Sequence, residues 1–333
     1  MPSSLTDLEH YLAQHDDHAW HRTAGLLEAE THEVDRTAVR IWLSFFPIAL
    51  ARLLAGPHDR VEFERRLLLR GRYRLADQAD TSHAFLYGHR YWPQVKRAVV
   101  VYAEQASGRF AGPLAGVVRD LARDLGAAMS LDRTRLTALV VVGLNTVQQI
   151  GLDAFRRTPG EVTVHPAALQ RTPDDVLRER ARDDHQGLFG FARGEHKVWT
   201  ITFDEQRTAC RFPLVNSQAI TTAAAADPRD WRERDARCTE GPIPVQCRSA
   251  SCGTCWVGVL GGAEKILAVE PRERRKLREC GYSDTDAPHP LIRLACQARA
   301  MGALSIVIPP WTGVLGATPA GDPTQELATA SAR

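Results

Sequence analysis

Trp20, Ala24, Leu27, Thr31, Val34, Ala38, Ile41 and Phe45 recur at steps of four and three. That spacing puts them on one face of a helix and predicts a single long helix across this stretch. Pro47 should kink or end it, because proline donates no amide and its ring crowds the preceding turn. Helical patterns continue over Arg60–Leu69, over Ser82–Gln105 with an interruption near Pro93, over Leu114–Met129 and over Thr134–Phe155. The last contains "LTALVVVGLNTVQQIGLDAF", apolar enough all round to be a central buried helix. Helices joined by short loops predict an antiparallel all-α bundle over residues 1–156.

Prolines and turn residues crowd "RRTPGEVTVHPAALQRTPDD". A short charged helix follows in "PDDVLRERARDDHQG", so residues 157–194 read as a connecting segment. Beyond them the period shifts from helix to strand. "KVWTITFD" alternates as a half-buried strand does, "EQR" is a turn and "TACRFPL" a returning strand. "NSQAITTAAAAD" predicts a helix capped by Asn216 or Ser217. A cysteine-rich loop, the strand "WVGVL", the charged helix "EPRERRKLREC" and the strand "ALSIVIPP" complete the region. The expected fold class is therefore α+β. A polar, small-residue tail over 312–333 is expected to be disordered.

The 333 residues exceed what one comfortable core needs, which favours two domains. A net charge of +2 with no basic run or basic helix stripe gives no footprint for nucleic acid. The N-terminal "MPSSLTDLEHYLAQHDDHAWHR" lacks the basic start and apolar run of a secretory signal. The most apolar stretch, Ile41–Leu54, is too short to span a bilayer and contains Pro47 and Arg52. No transmembrane segment and a cytoplasmic location are expected. Ile41–Leu50, apolar on every side, reads first as core. A seam between two copies, giving a homo-oligomer through the helical domain, and a membrane-surface contact are its other readings.

Seven cysteines, an odd number, do not describe a secreted disulfide scaffold. Three of them sit in "CRSASCGTC" as Cys247, Cys252 and Cys255, and Cys296 follows in "RLACQARAMGALSIVIPP". C-x4-C-x2-C with a remote fourth cysteine is the spacing that holds two irons bridged by two sulfides. Small residues fill the gaps, so backbone amides can turn toward the sulfurs. A zinc site would also use four cysteines, but its usual spacing is C-x2-C twice, which is absent here. Cys210, Cys238 and Cys280 lie outside the motif and read as packed thiols. Cys280, at a helix end in a charged run, is a poorer fourth ligand than Cys296 beside an apolar strand.

On these residues the segment from about Glu195 to Trp311, a third of the chain, resembles the plant-type ferredoxin domain. "CRSASCGTC" is similar to that family's cluster loop and "RLACQA" to the segment carrying its fourth ligand. The resemblance implies a β-grasp domain over 195–311 and a [2Fe–2S] cluster ligated by Cys247, Cys252, Cys255 and Cys296. It also implies a low potential, on the order of −400 mV. Two features depart from the family. Ala250 stands where glycine is usual, and forty residues separate Cys255 from Cys296.

No second cysteine set, no G-x-G-x-x-G after a strand and no phosphate-binding loop of the Walker type accompany the motif. The expected role is an electron-transfer protein rather than a stand-alone enzyme. It would exchange single electrons with partner redox enzymes, with the helical domain as docking platform. Between Lys197 and Trp311 sixteen Lys and Arg face thirteen Asp and Glu, so an acidic docking face is not expected.

The alternative is an oxidoreductase component whose helical domain holds a second iron or haem centre. Eight of the twelve histidines precede residue 90, and His18, His21, Glu28, His32 and Asp35 would share a stripe on one long helix. The blander reading of that stripe is a solvated polar face. His83 and His89, among Phe85, Tyr87, Tyr91 and Trp92, line either a pocket or an aromatic core.

Overall fold

The computed structural model describes residues 5–55, 75–105, 112–182, 197–233, 235, 237–279, 282 and 286–309. The helix expected over Arg60–Leu69, the tail from 312 and Cys280 lie outside them. The described residues form two compact units. Those up to Leu177 make the first, and those from Arg178 onward make the second.

The first unit is helical: α1 Asp7–Leu12, α2 Asp17–Leu26, α3 Glu33–Phe45, α4 Ile48–Ala55, α5 Trp92–Gln105, α6 Leu114–Met129, α7 Thr134–Ile150, α8 Leu152–Arg157 and α9 Pro166–Leu169. Helix α7 is the axis of the unit. Leu136 to Val147 are buried without a break, and α1 to α6 and α8 all pack against it. A helix surrounded by others must be apolar on every side, as the sequence pattern of α7 is.

The expected long helix is two helices. The apolar face is as read, since Trp20, Ala24, Leu27, Val34, Ala38, Ile41 and Phe45 are all buried. The backbone breaks between them, because side chains terminate and restart the helical bonding locally. Thr31 is extended, its hydroxyl donates to Leu27 O at 2.9 Å, and His32 Nδ1 accepts the Val34 amide at 3.3 Å as the α3 cap. The histidine and carboxylate stripe that needed one continuous helix therefore does not form. His18 and Glu28 are exposed, while buried Asp35 accepts the amides of Tyr87 and Gly88 at 2.7 and 2.8 Å.

Pro47 separates α3 from α4 as expected, and Asp17 caps the new helix through the amides of Ile48 and Ala49. The helix expected over Thr134–Phe155 is also split, at Gly151, whose φ of 82° belongs to the left-handed region. Glu9 accepts the first amide of the restarted helix, Leu152 N, at 2.9 Å. The Ser82–Gln105 pattern is a run of turns and a 3-10 segment, Tyr87–Tyr91, before α5 begins with Pro93 in its first turn.

Helix α10, Pro173–Ala181, leads to the second unit, where Arg180 grips Glu205 through two bonds of 2.7 and 2.9 Å. Five strands follow: β1 Val198–Thr202, β2 Arg211–Val215, β3 Trp256–Gly261, β4 Ile292–Leu294 and β5 Leu304–Val307. They make one mixed sheet in the order β2-β1-β5-β3-β4. The β1/β5 pair is parallel and the rest antiparallel. Helix α11, Ile220–Ala224, is shorter than expected and is preceded by Ala219 without a side-chain cap, so neither Asn216 nor Ser217 caps it. Ser217 instead turns the chain in the left-handed region, at φ 60°. Helix α12, Pro271–Glu279, packs on β4. No helix among the described residues is long and apolar enough to cross a membrane.

His83 and His89 meet inside the helical unit. Their Nδ1 atoms are 2.7 Å apart, and the rings are 0% and 3% exposed. One ring therefore supplies the proton that the other accepts. The Trp92 ring lies 4.0 Å from His83, and its Nε1 donates to Asp80 at 2.7 Å. Thr158 and the Gly160 amide also bond Asp80, with the Lys96 ammonium 3.7 Å away. Burial lowers both imidazoles, His83 well below its ordinary value and His89 to about 4 despite the nearby Asp80. Below pH 6.5 the unfolded chain takes up protons that the folded pair refuses. The pair's contribution is complete above that pH and is lost as pH falls toward 4. For His89 the loss is about 2 kcal/mol at pH 5. Urea unfolding at pH 8 and pH 5 should show that loss, and His89→Gln should shrink the difference by the same amount; an unchanged difference would mean the ring is protonated in place.

Candidate iron–sulfur site

Strand pairing brings the distant cysteine to the loop. In the β3/β4 register Trp256 lies opposite Leu294. Cys255 immediately precedes β3 and Cys296 follows β4 by two residues, and the Ala295 amide donates to Cys255 O at 2.8 Å. Two thiols with forty residues between them in sequence thus become neighbours that hydrogen bond one another. The long insertion between them is the turn after β3, helix α12 and the approach to β4, and closing such a loop adds little entropy.

The other two cysteines are held by the loop itself. Cys247 Sγ accepts the amides of Ser249 at 3.4 Å and Cys252 at 3.3 Å. Cys252 Sγ meets Thr254 Oγ1 at 3.2 Å, and Gln297 Nε2 donates to Cys296 Sγ at 3.3 Å and to Arg248 O at 3.2 Å. The Ala250 amide also stabilises Cys296. Amides can turn inward this way because Arg248, Ala250 and Gly253 all adopt positive φ, at 54°, 58° and 69°. Alternating left-handed residues make a concave nest of N–H groups, suited to anionic sulfur. Gly253 has a second reason to be glycine: a Cβ there would sit 3.2 Å from Lys276 Cε.

The thiols form two pairs, Cys247 with Cys252 and Cys255 with Cys296. Burial acts to raise Cys247, but hydrogen bonds from Cys252, Ser251 and the two loop amides outweigh it and hold the thiol at about 6. Cys252 is raised by burial and by its bond to Cys247. The bond from Cys255 brings Cys296 down to about 7, while Cys255, donating it from a buried position, rises well above the ordinary range. No three His, Cys, Asp or Glu side chains among the described residues are grouped to hold a single metal ion. Two thiol pairs rimmed by amides fit a two-metal, sulfide-bridged group, whose charge the amides would offset.

The described cysteines are all free thiols. Cys238 is buried, donates to Pro242 O at 3.3 Å and is pushed up to about 12 by burial, the state of an inert packed thiol. Cys210 is buried on the far side of the β1–β2 turn, where its amide and carbonyl close that turn.

Residues 216–301 match the family model of the 2Fe-2S iron-sulfur cluster binding domain. This part of the chain is a ferredoxin-type cluster domain. It binds a [2Fe–2S] cluster, and the matched residues include Cys247, Cys252, Cys255 and Cys296 but none of the helical unit. No curated protein matches the chain. No solved structure matches it either.

Glu273 and Arg293 went unnoticed in the sequence, although an arginine amid the apolar "PLIRLACQ" was the available signal. Both are 1% exposed and pair through bonds of 2.9 and 2.8 Å. Glu273 also accepts the Leu294 amide at 2.8 Å, and Arg293 donates to Leu267 O at 3.1 Å. The pair ties helix α12 of the ferredoxin-type domain to the strand that delivers Cys296. Arg293→Ala should cost about 3–5 kcal/mol and lower the iron content, because it strands a buried carboxylate. Glu273→Gln with Arg293→Met should recover part of that loss in the same denaturation assay. Ala250→Gly should keep full iron and sulfide content. Ala250→Val should lose it, since branched residues tolerate the left-handed region worst.

Proposed function

We propose that the protein is a one-electron carrier whose cluster is ligated by Cys247, Cys252, Cys255 and Cys296. The observation that carries this reading is the convergence of two thiol pairs on a loop whose amides point at sulfur. Cys247 and Cys252 would hold one iron, and Cys255 and Cys296 the other. When bound, the cluster supplies a centre that accepts and returns single electrons. Cys255 and Cys296 are buried and Cys247 and Cys252 half-exposed, so the loop side is the edge open to a partner. The sheet order and the two packed helices support a β-grasp domain. The helical unit serves as the platform that positions the carrier on its redox partners.

Iron and acid-labile sulfide analysis of the full chain tests this reading, with EPR after dithionite. Two irons and two sulfides per chain are expected, with a bleached visible spectrum and one unpaired spin on reduction. Cys296→Ser should abolish most of the colour, whereas Cys238→Ser should leave it unchanged. Zinc in place of iron, or a Cys296→Ser protein with a full cluster, would refute the assignment. Iron in clear excess of sulfide would favour the alternative of a second iron or haem centre in the helical unit.

A further inference from the structure

We propose that the outer face of helix α12 is the docking surface for an acidic one-electron redox protein. The inference rests on the electron-carrier reading above and names the partner's chemistry.

Helix α12 is nine residues long, and five are cations: Arg272, Arg274, Arg275, Lys276 and Arg278. Its inner face is spent on the domain. Glu273 is buried against Arg293, Leu277 is buried, and Lys276 lies over Gly253 of the cluster loop. At 100° per residue, Arg272, Arg275 and Arg278 fall on the opposite, exposed face. Arg272 stands one turn before Lys276, so the basic face begins beside the loop that carries Cys252 and Cys255.

The neighbouring acids neutralise only the Arg278 end of this face. Asp286 pairs with Arg278 at 2.5 Å and lies 3.7 Å from Arg274, while Glu279 is drawn to Lys276 at 3.3 Å. Glu270 precedes the helix and is exposed. Arg272 and Arg275 make no ion pair or side-chain hydrogen bond with these or other described residues. Arg248, exposed in the cluster loop and paired with Glu240, extends the basic region toward the half-exposed cysteines. An acidic partner meeting this face would complete charges that the fold leaves open and would be steered to the cluster's exposed edge.

Stopped-flow oxidation of the dithionite-reduced full chain tests the surface with two haem proteins of opposite charge, acidic cytochrome b5 and basic cytochrome c. The rate constant with cytochrome b5 should exceed that with cytochrome c at low ionic strength and fall as salt is raised. Arg272→Glu with Arg275→Glu should slow cytochrome b5 about tenfold at low salt and leave cytochrome c unchanged or faster. Neither position touches the cluster loop, so iron content and EPR signal should be those of the wild type. A double variant that matches the wild type toward cytochrome b5, or a cytochrome b5 rate indifferent to salt, would overturn the docking surface while leaving the carrier reading standing. Transfer to neither cytochrome would instead refute the carrier reading itself.

Discussion

The β3/β4 pairing is the constraint on which the iron–sulfur site depends. It sets Cys255 and Cys296 side by side although a whole helix and its loops separate them in sequence. Backbone bonds alone would leave that short edge strand free to fray. The buried Glu273–Arg293 pair holds it from behind and ties it to helix α12. A buried ion pair adds little stability over an apolar substitute, but it specifies register, because a slipped strand would leave both charges unpaired. Strand, helix and loop thus form one rigid frame, with Lys276 reaching from the helix to Gly253 in the loop.

Within that frame the loop solves an electrostatic problem. A [2Fe–2S] cluster brings negatively charged sulfur into a partly buried place, and the loop meets it with a set of inward amides. Directing them requires left-handed backbone at Arg248, Ala250 and Gly253. Only the last is glycine, so the chain carries backbone strain at the other two. That strain sits where the sulfurs need donors, the usual reason for a fold to retain it.

The helical unit is organised on a different principle. Helix α7 is enclosed by its neighbours, and several polar groups among them are matched individually. Asp35 takes the amides of Tyr87 and Gly88; Asp80 takes Trp92, Thr158 and Gly160; and the imidazoles of His83 and His89 share one hydrogen bond. Matching of this kind makes the interior specific but sensitive to protonation.

The sequence by itself determined the period of each element and the chemistry of the loop. Helix α7, α6, the strands β1, β2, β3 and β5, and the four spaced cysteines all follow from local pattern. Those features depend on residues a few positions apart, which a linear reading compares directly. Tertiary structure decided the rest. The break at Thr31 and His32 left the apolar spacing of α2 and α3 in phase, so periodicity could not reveal it. Strand β4 has three residues, too few to show a period, and exists through its pairing with β3. The Glu273–Arg293 and His83–His89 pairs form only once folding has removed water from both partners, a condition no linear pattern records.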